Sequence, residues 1–369
     1  MRIVFIAARD LGKIGGIETY MKHLCTKLVE KGHTTILYCE GDKFSKFTTK
    51  EGVNIITFKS LKSKFINKLY IGFIATLHSL LFNKKVDIYH YNAFATALFS
   101  WLPRLCFEKV IFQGHGFEWQ RTKWSEKQRK IIKSLEIFAL LINKNITMVS
   151  DEQTEFVNAN FNKKALTITS AINIPNPNSY TSNVLSRFGL IQNKYILFLG
   201  RLVQEKNPDL LIKAFKRSNL QDLKLVIAGY DDRAKKYIDS LVQMGLNNKN
   251  VIFTGAVYGD DKEVLLRDCH SFCIPSSLEG LPITLLEAMS YSKLCIASNI
   301  PACKEAMGST GLYFKDKDIE NLISVLNSLE QSDIILERND AFVRVKSKFT
   351  WDIVSKQYEQ FCKSIVGNF

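Results

Sequence analysis

Short apolar runs bounded by Gly, Asn or Asp alternate along this chain with segments in which apolar positions recur every three or four residues. Runs of the first kind suit parallel strands buried on both faces, and segments of the second kind suit helices packed along one stripe. The pattern predicts first-half strands over 3–8, 35–39, 54–58, 87–91, 109–113, 145–149 and 165–169. Between the first two, Ile17, Tyr20, Met21, Leu24 and Leu28 share a helical face that ends near Gly32. The stretch 174–183, rich in Pro and Asn and without periodicity, reads as an extended connector. After it the alternation restarts, with strands over 195–199, 224–228, 251–254, 271–274 and 294–297. Helices fall over 208–217, 233–244, 284–290 and 319–329. A closing helix over 352–366 presents Ile353, Val354, Tyr358, Phe361 and Ile365. The reading is α/β, with Rossmann-like domains over 1–178 and 179–349 and a terminal helix, 350–369, that returns to the first. Two such domains facing across a cleft would gather strand ends and helix N-termini there.

Composition narrows the class. At 369 residues, 46% hydrophobic and 23% charged, the chain is long enough for two ordinary cores, which excludes disordered and disulfide-scaffold classes. The formal charge of +14 is uneven: residues 1–178 carry 26 basic and 14 acidic side chains, and 179–369 carry 24 and 22. An acidic partner for the first half follows. The eight cysteines show no CxxC and no zinc spacing, and read as reduced core residues; Cys269, His270 and Cys273 lack a second ligand pair. The opening run is too short for a secretory signal and meets Arg9 and Asp10. The longest apolar run, 69–82, contains His78 and falls short of the ~20 residues that span a bilayer. The expected location is cytoplasmic, or peripheral on the inner face of the plasma membrane.

Three strand-to-helix loops carry candidate chemistry. Leu11-Gly12-Lys13-Ile14-Gly15-Gly16-Ile17-Glu18 follows the first strand, and its glycines would let backbone N–H groups approach an anion. It has neither the dinucleotide spacing nor the Gly-Lys-Ser/Thr of a P-loop, so a plain tight turn is the alternative. Gly200-Arg201 through Lys206-Asn207-Pro208 occupies the corresponding loop of the second half, where two cations ahead of a helix can grip a diphosphate. The third runs from Pro275 to Met289 and places Glu279 in a loop and Glu287 in the first turn of the next helix. Thr284-x-x-Glu287 also fits a capping box, a structural alternative for Glu287. Asp316-Lys317-Asp318 has the spacing of a metal-binding DxD, but it precedes a helix that it can cap.

Gly15-Gly16-Ile17-Glu18, Gly200-Arg201 with Lys206, and the Glu-x7-Glu element Glu279 to Glu287, in this order, resemble the retaining GT-B glycosyltransferases of family 4 over nearly the whole chain. The resemblance implies that Arg201 and Lys206 hold the diphosphate of a nucleotide sugar, and that Glu287 binds its ribose. It also implies that Glu279, with the amides of Gly280 and Leu281, contacts the sugar. Gly15 and Gly16 would lie by the phosphates from the other domain, Val257 on the base, and Gly229 beside them. His115 would stand at the reaction centre, making His115, Glu279, Arg201 and Lys206 the catalytic set. The string His115-Gly116-Phe117-Glu118-Trp119-Gln120-Arg121-Thr122-Lys123-Trp124 is similar to rhamnosyl- and hexosyltransferases that build bacterial surface polysaccharide, with Glu118 and Trp119 on the acceptor side. Trp119 and Trp124 could instead support the loop. Ser170-Ala171-Ile172-Asn173 stands where many members carry Asn-Gly.

The expectation is therefore transfer of a hexosyl group from a nucleoside diphosphate sugar to a saccharide acceptor, with no metal or other cofactor. Basic ends flank the apolar stretch 59–85, so an anionic membrane surface and a lipid-linked acceptor are further expected partners; a buried sheet helix with solvated lysines is the alternative. Other functions open to the sequence are an epimerase or phosphorylase on the same fold and a non-catalytic sugar- or nucleic-acid-binding protein. Nucleic acid is not an expected partner, because no recognition module accompanies the basic charge.

Overall fold

The computed structural model describes residues 1–6, 16–121, 124–220, 222–330 and 334–367. Among these the chain divides into two compact units, residues 1–171 with 351–369, and residues 172–350. The division falls a few residues before the expected boundary at 178/179. Ile172 already belongs to the second unit, its N–H donating to the Phe349 carbonyl at 2.9 Å, and it bridges to Thr350. Entry to the second unit and exit from it therefore lie side by side.

The first unit holds strands β1 (Arg2–Ile6), β2 (Thr34–Gly41), β3 (Ser45–Thr48), β4 (Asn54–Lys59), β5 (Ile88–Asn92), β6 (Val110–Gly114), β7 (Asn145–Met148) and β8 (Leu166–Thr167). They form one sheet in the order β3-β4-β2-β1-β5-β6-β7-β8, parallel throughout except that β3 runs antiparallel to β4. The helix Gly16–Glu30 buries Tyr20, Met21, Leu24 and Leu28 of the face read from the sequence, together with Glu18 and Cys25, while Ile17 is half-buried. It stops where Gly32 takes φ +80° and its N–H returns to the Val29 carbonyl at 2.8 Å. The last helix, Trp351–Gly367, packs on it, with Trp351 5.4 Å from the Tyr20 ring and stacked on His23 at 5.3 Å.

The second unit holds β9 (Tyr195–Leu199), β10 (Lys224–Ala228), β11 (Val251–Gly255), β12 (Ser271–Ile274), β13 (Leu294–Ser298) and β14 (Leu312–Phe314). Their order is β11-β10-β9-β12-β13-β14, all parallel. From β9 the chain winds outward one way and from β12 the other, which makes the crevice beyond the carboxyl ends of β9 and β12 the expected ligand site of a doubly wound sheet. By the same rule the first unit's switch point lies beyond β1 and β5.

Candidate functional site

Two loops meet at the second unit's switch point. After β9 the chain runs through Gly200 and Arg201 to Asn207, whose φ of +48° turns it into the helix Pro208–Arg217. Asn207 Nδ2 donates to the Pro275 carbonyl at 2.9 Å and to Ser277 Oγ at 2.6 Å, while the Ser277 N–H donates to the Glu205 carbonyl at 2.9 Å. Ser277 Oγ in turn donates to Asp316 Oδ1 at 2.6 Å. These bonds fix the loop after β12 against the loop after β9. The result is an ion pair between Lys206 Nζ and Glu279 Oε1, with side chains only 17% and 7% exposed. A largely desolvated, charge-assisted pair holds both groups in one geometry. The DxD reading resolves along the same lines: Asp316 buttresses Ser277, and Asp318 caps the helix Ile319–Asn327 by accepting from the Asn321 N–H at 3.0 Å.

Arg201 is placed by its neighbour strand. Gly229, at the end of β10, has φ +152° and lies so close to the β9 loop that a Cβ there would stand 1.7 Å from the Gly200 carbonyl oxygen. Only glycine permits that approach. It brings Asp231 under Arg201, whose Nη1 lies 3.4 Å from Asp231 Oδ2. Arg233 binds the same carboxylate through Nε at 3.2 Å and Nη2 at 3.1 Å, and through its backbone N–H at 3.0 Å. Burial alone would raise the Asp231 carboxyl, but these hydrogen bonds and the two guanidinium charges bring it down to about 2.

Glu287 departs from the sequence reading. The helix Ile283–Ser290 has Pro282 as its N-cap with no side-chain cap, so Thr284 and Glu287 form no capping box. Glu287 falls just past the first turn, because the helix begins one residue before Thr284. Lys262, on the helix Gly259–Asp268, reaches Glu287 Oε1 at 2.9 Å and Glu263 at 3.0 Å. Burial pushes the Glu287 carboxyl up against the pull of Lys262. Leu281 and Val257 are buried in the second unit's core, which leaves their backbone groups to meet any ligand; Gly280 is partly exposed.

In the first unit, β6 ends in Gly114 and delivers His115 beside Asn92, the last residue of β5. His115 Nε2 lies 2.6 Å from Asn92 Oδ1, and the imidazole packs edge-on to Tyr20 at 5.0 Å. With Oδ1 as acceptor, Nε2 carries the proton and Nδ1 is the ring's acceptor. Burial pulls His115 down to about 3, so the ring is neutral at physiological pH. Behind it, fully buried His90 bonds the Tyr358 hydroxyl through Nδ1 at 2.8 Å, and burial holds it near 3 as well.

The acceptor-side candidates are less available. Glu118 takes Arg121 Nε at 3.0 Å and Trp124 Nε1 at 3.3 Å, and its backbone N–H donates to the buried carboxyl of Glu136. Trp119 lies against Phe117 at 4.4 Å. Both tryptophans thus brace the loop. Gly16 is the exposed first residue of its helix, and Gly15 lies outside the described residues. Sequence reasoning missed Asp231, Arg233, Lys262 and Asn92. The first two and Asn92 end strands or follow them, the signal that found Arg201; Lys262 lies at the end of a helix's first turn and gave none.

Comparison with known proteins bears on the family and the fold. The family model described as Glycosyl transferases group 1 matches residues 189–345, and that of Glycosyltransferase Family 4 matches residues 14–170. The chain belongs to the family 4 glycosyltransferases and has their GT-B fold. An uncharacterised glycosyltransferase of Methanocaldococcus jannaschii is 25% identical over 366 residues, 93% of each chain. Two Escherichia coli relatives are 27% identical: the O-antigen chain mannosyltransferase B, over 47% of each chain, and the UDP-Gal:alpha-D-GlcNAc-diphosphoundecaprenol alpha-1,3-galactosyltransferase, over 74% of this chain and 71% of that one. Among solved structures, sucrose-phosphate synthase of Thermosynechococcus elongatus matches with TM-score 0.84 at 17% identity, covering all of both chains. Anabaena HepE in complex with UDP and glucose matches at 0.78 and 16%, covering 99% of this chain and all of that one.

Proposed function

We propose that this glycosyltransferase moves a hexosyl group from a nucleoside diphosphate sugar to a saccharide hydroxyl with retention of anomeric configuration and without a metal. The observation that carries the reading is the Lys206–Glu279 pair, with Arg201 on the same loop as Lys206, at the switch point of β9 and β12. In the reaction the bond from the anomeric carbon to the diphosphate oxygen breaks and the bond to the acceptor oxygen forms on the same face. The acceptor's proton passes to the departing phosphate oxygen. Negative charge grows on the diphosphate, and Arg201 and Lys206 meet it where a divalent ion otherwise would; each well-placed donor is worth about 3 kcal/mol in the transition state. Glu279 orients Lys206 and the sugar, and Glu287 accepts ribose hydroxyls. Neutral His115, with Nδ1 as acceptor, serves the acceptor side. A panel of nucleotide sugars, screened by thermal stabilisation and then by turnover in chelator, tests this. Activity that returns only with a divalent cation overturns it, as does full activity after joint replacement of Arg201 and Lys206.

The acceptor in this reading is a lipid-linked saccharide of bacterial surface polysaccharide, met at an anionic membrane. The E. coli galactosyltransferase named for a diphosphoundecaprenol substrate supports the first part. The surface of the first unit supports the second. Phe44 beside β3 is 51% exposed and Phe82, at the end of the helix Lys64–Phe82, is 67% exposed. Lys46 Nζ lies 5.5 and 5.8 Å from their ring centroids. Residues 59–85 carry six lysines and no acidic side chain. Aromatics interleaved with lysine suit an anionic headgroup layer, each cation contributing about 1 kcal/mol. No helix among the described residues is long and apolar enough to cross a membrane. Flotation with phosphatidylglycerol vesicles should weaken with salt and with F44E/F82E; indifference to lipid charge and salt removes the membrane part alone.

A further inference from the structure

We infer that Arg233 is a second guanidinium for the donor's diphosphate, held beside Arg201 by Asp231; this rests on the diphosphate reading of the second unit. The two arginines come from different positions on adjacent loops, yet both touch Oδ2 of one carboxylate. Asp231 is 6% exposed at its side chain, whereas Arg201 and Arg233 are 42% and 49% exposed. A buried anion therefore anchors two half-exposed cations side by side. Two guanidiniums held this closely make a positive patch at the sheet edge, and guanidinium donors suit phosphate oxygens.

The backbone is built to make this meeting. β9 and β10 are register neighbours, with Leu199 opposite Ala228, so the two loops leave the sheet together. The Gly200 N–H donates to the Ala228 carbonyl at 3.0 Å, and Gly229 sits against the Gly200 carbonyl where no side chain fits. Asp231 then accepts the Arg233 N–H and caps the turn Asp232–Ala234, which fixes the root of the Arg233 side chain. The same carboxylate thus shapes the loop and aligns both cations at the carboxyl edge of the sheet, where Lys206 also stands.

The test uses the full chain and inorganic pyrophosphate as probe, with affinity measured by calorimetry at low and moderate salt. R233Q should weaken pyrophosphate binding about tenfold, the loss of one charge-assisted contact. R233K, which keeps charge but not the fork, should fall between R233Q and wild type. If R233Q proves unstable through the lost cap contacts, R233K alone carries the test, weaker binding at unchanged Tm being the supporting result. Wild-type affinity in R233Q and R233K, while R201Q and K206M lose binding, overturns the role of Arg233 and leaves the diphosphate reading standing. Wild-type affinity in all four variants overturns that reading too.

Discussion

Lys206 and Glu279 lie 73 positions apart in sequence and form one ion pair at the carboxyl edge of the second sheet, both largely withdrawn from water. Removing either partner strands the other in a dry place, which costs more than the pair itself is worth. E279Q, which keeps shape but not charge, should lower kcat by about 10²–10³ if Lys206 must be held for the developing diphosphate charge. K206M should do the same. The double variant should be far less active than wild type yet clearly less impaired than the product of the single losses, because the two residues act as a unit. Additive losses in steady-state kinetics would show that they act separately.

The glycine at 229 is demanded by packing rather than by a ligand. G229A must separate the loops after β9 and β10, since its Cβ would overlap the Gly200 carbonyl at 1.7 Å. Left-handed backbone strain adds about 1–3 kcal/mol. A substantial fall in denaturant stability, with loss of donor affinity as Arg201 and Asp231 part, is expected. G255A is the control: its φ is +71° but nothing lies within 4 Å of the new Cβ, so only the backbone strain applies. Equal destabilisation by the two substitutions would refute the close-approach argument.

Much of this architecture was legible in the chain. Five strands of the second unit were readable because each is a short, largely apolar run; four are buried on both faces, and β11 is the half-buried edge. β14 escaped because it is three residues long, and β3 because Ser45-Lys46-Phe47-Thr48 is an exposed edge with little apolar signal. At the site, Arg201, Lys206 and Glu279 could be named because loops after parallel strands are where such sheets bind ligands. Their partners could not: Asp231 supports Arg201 only because two strands separated by a helix lie side by side, and Lys262 meets Glu287 across two helices. Local rules misled at Thr284, where a capping pattern exists in sequence but the helix starts at Ile283.

Lys262 should govern how donor affinity responds to pH. Burial raises the Glu287 carboxyl and Lys262 opposes that rise. K262M removes the opposition, so Glu287 binds its proton over a wider range and, in the ribose-binding role proposed for it, becomes a weaker acceptor. Donor KM in K262M should therefore be high at acid pH and fall toward the wild-type value as pH rises, because loss of the lysine lets burial push the Glu287 carboxyl further up. Wild-type KM should vary less with pH. A KM in K262M that is raised equally at every pH would mean that Lys262 acts through packing or through its own contact with donor.

Two sets of buried groups give the first unit opposed pH dependences. His90 and His115 are held near 3 by burial, against 6.5 for an ordinary histidine, so below pH 6.5 the unfolded chain takes up protons that the folded chain refuses. Their contribution to stability is complete above 6.5 and drains as pH falls toward 3, by up to about 1.4 kcal/mol per pH unit for each ring. Glu136 runs the other way. Burial raises its carboxyl to about 8 from 4.5, so the folded chain holds a proton that the unfolded chain releases, and stability is lost as pH climbs from 4.5 through 8. E136Q keeps the oxygen that accepts the Glu118 N–H, at 3.1 Å in the native carboxyl, and cannot ionise. Relative to wild type it should gain stability steadily between pH 5 and 8 and level off above that, in chemical denaturation followed at fixed ionic strength. A constant difference across the range would show that Glu136 is charged in the folded protein throughout.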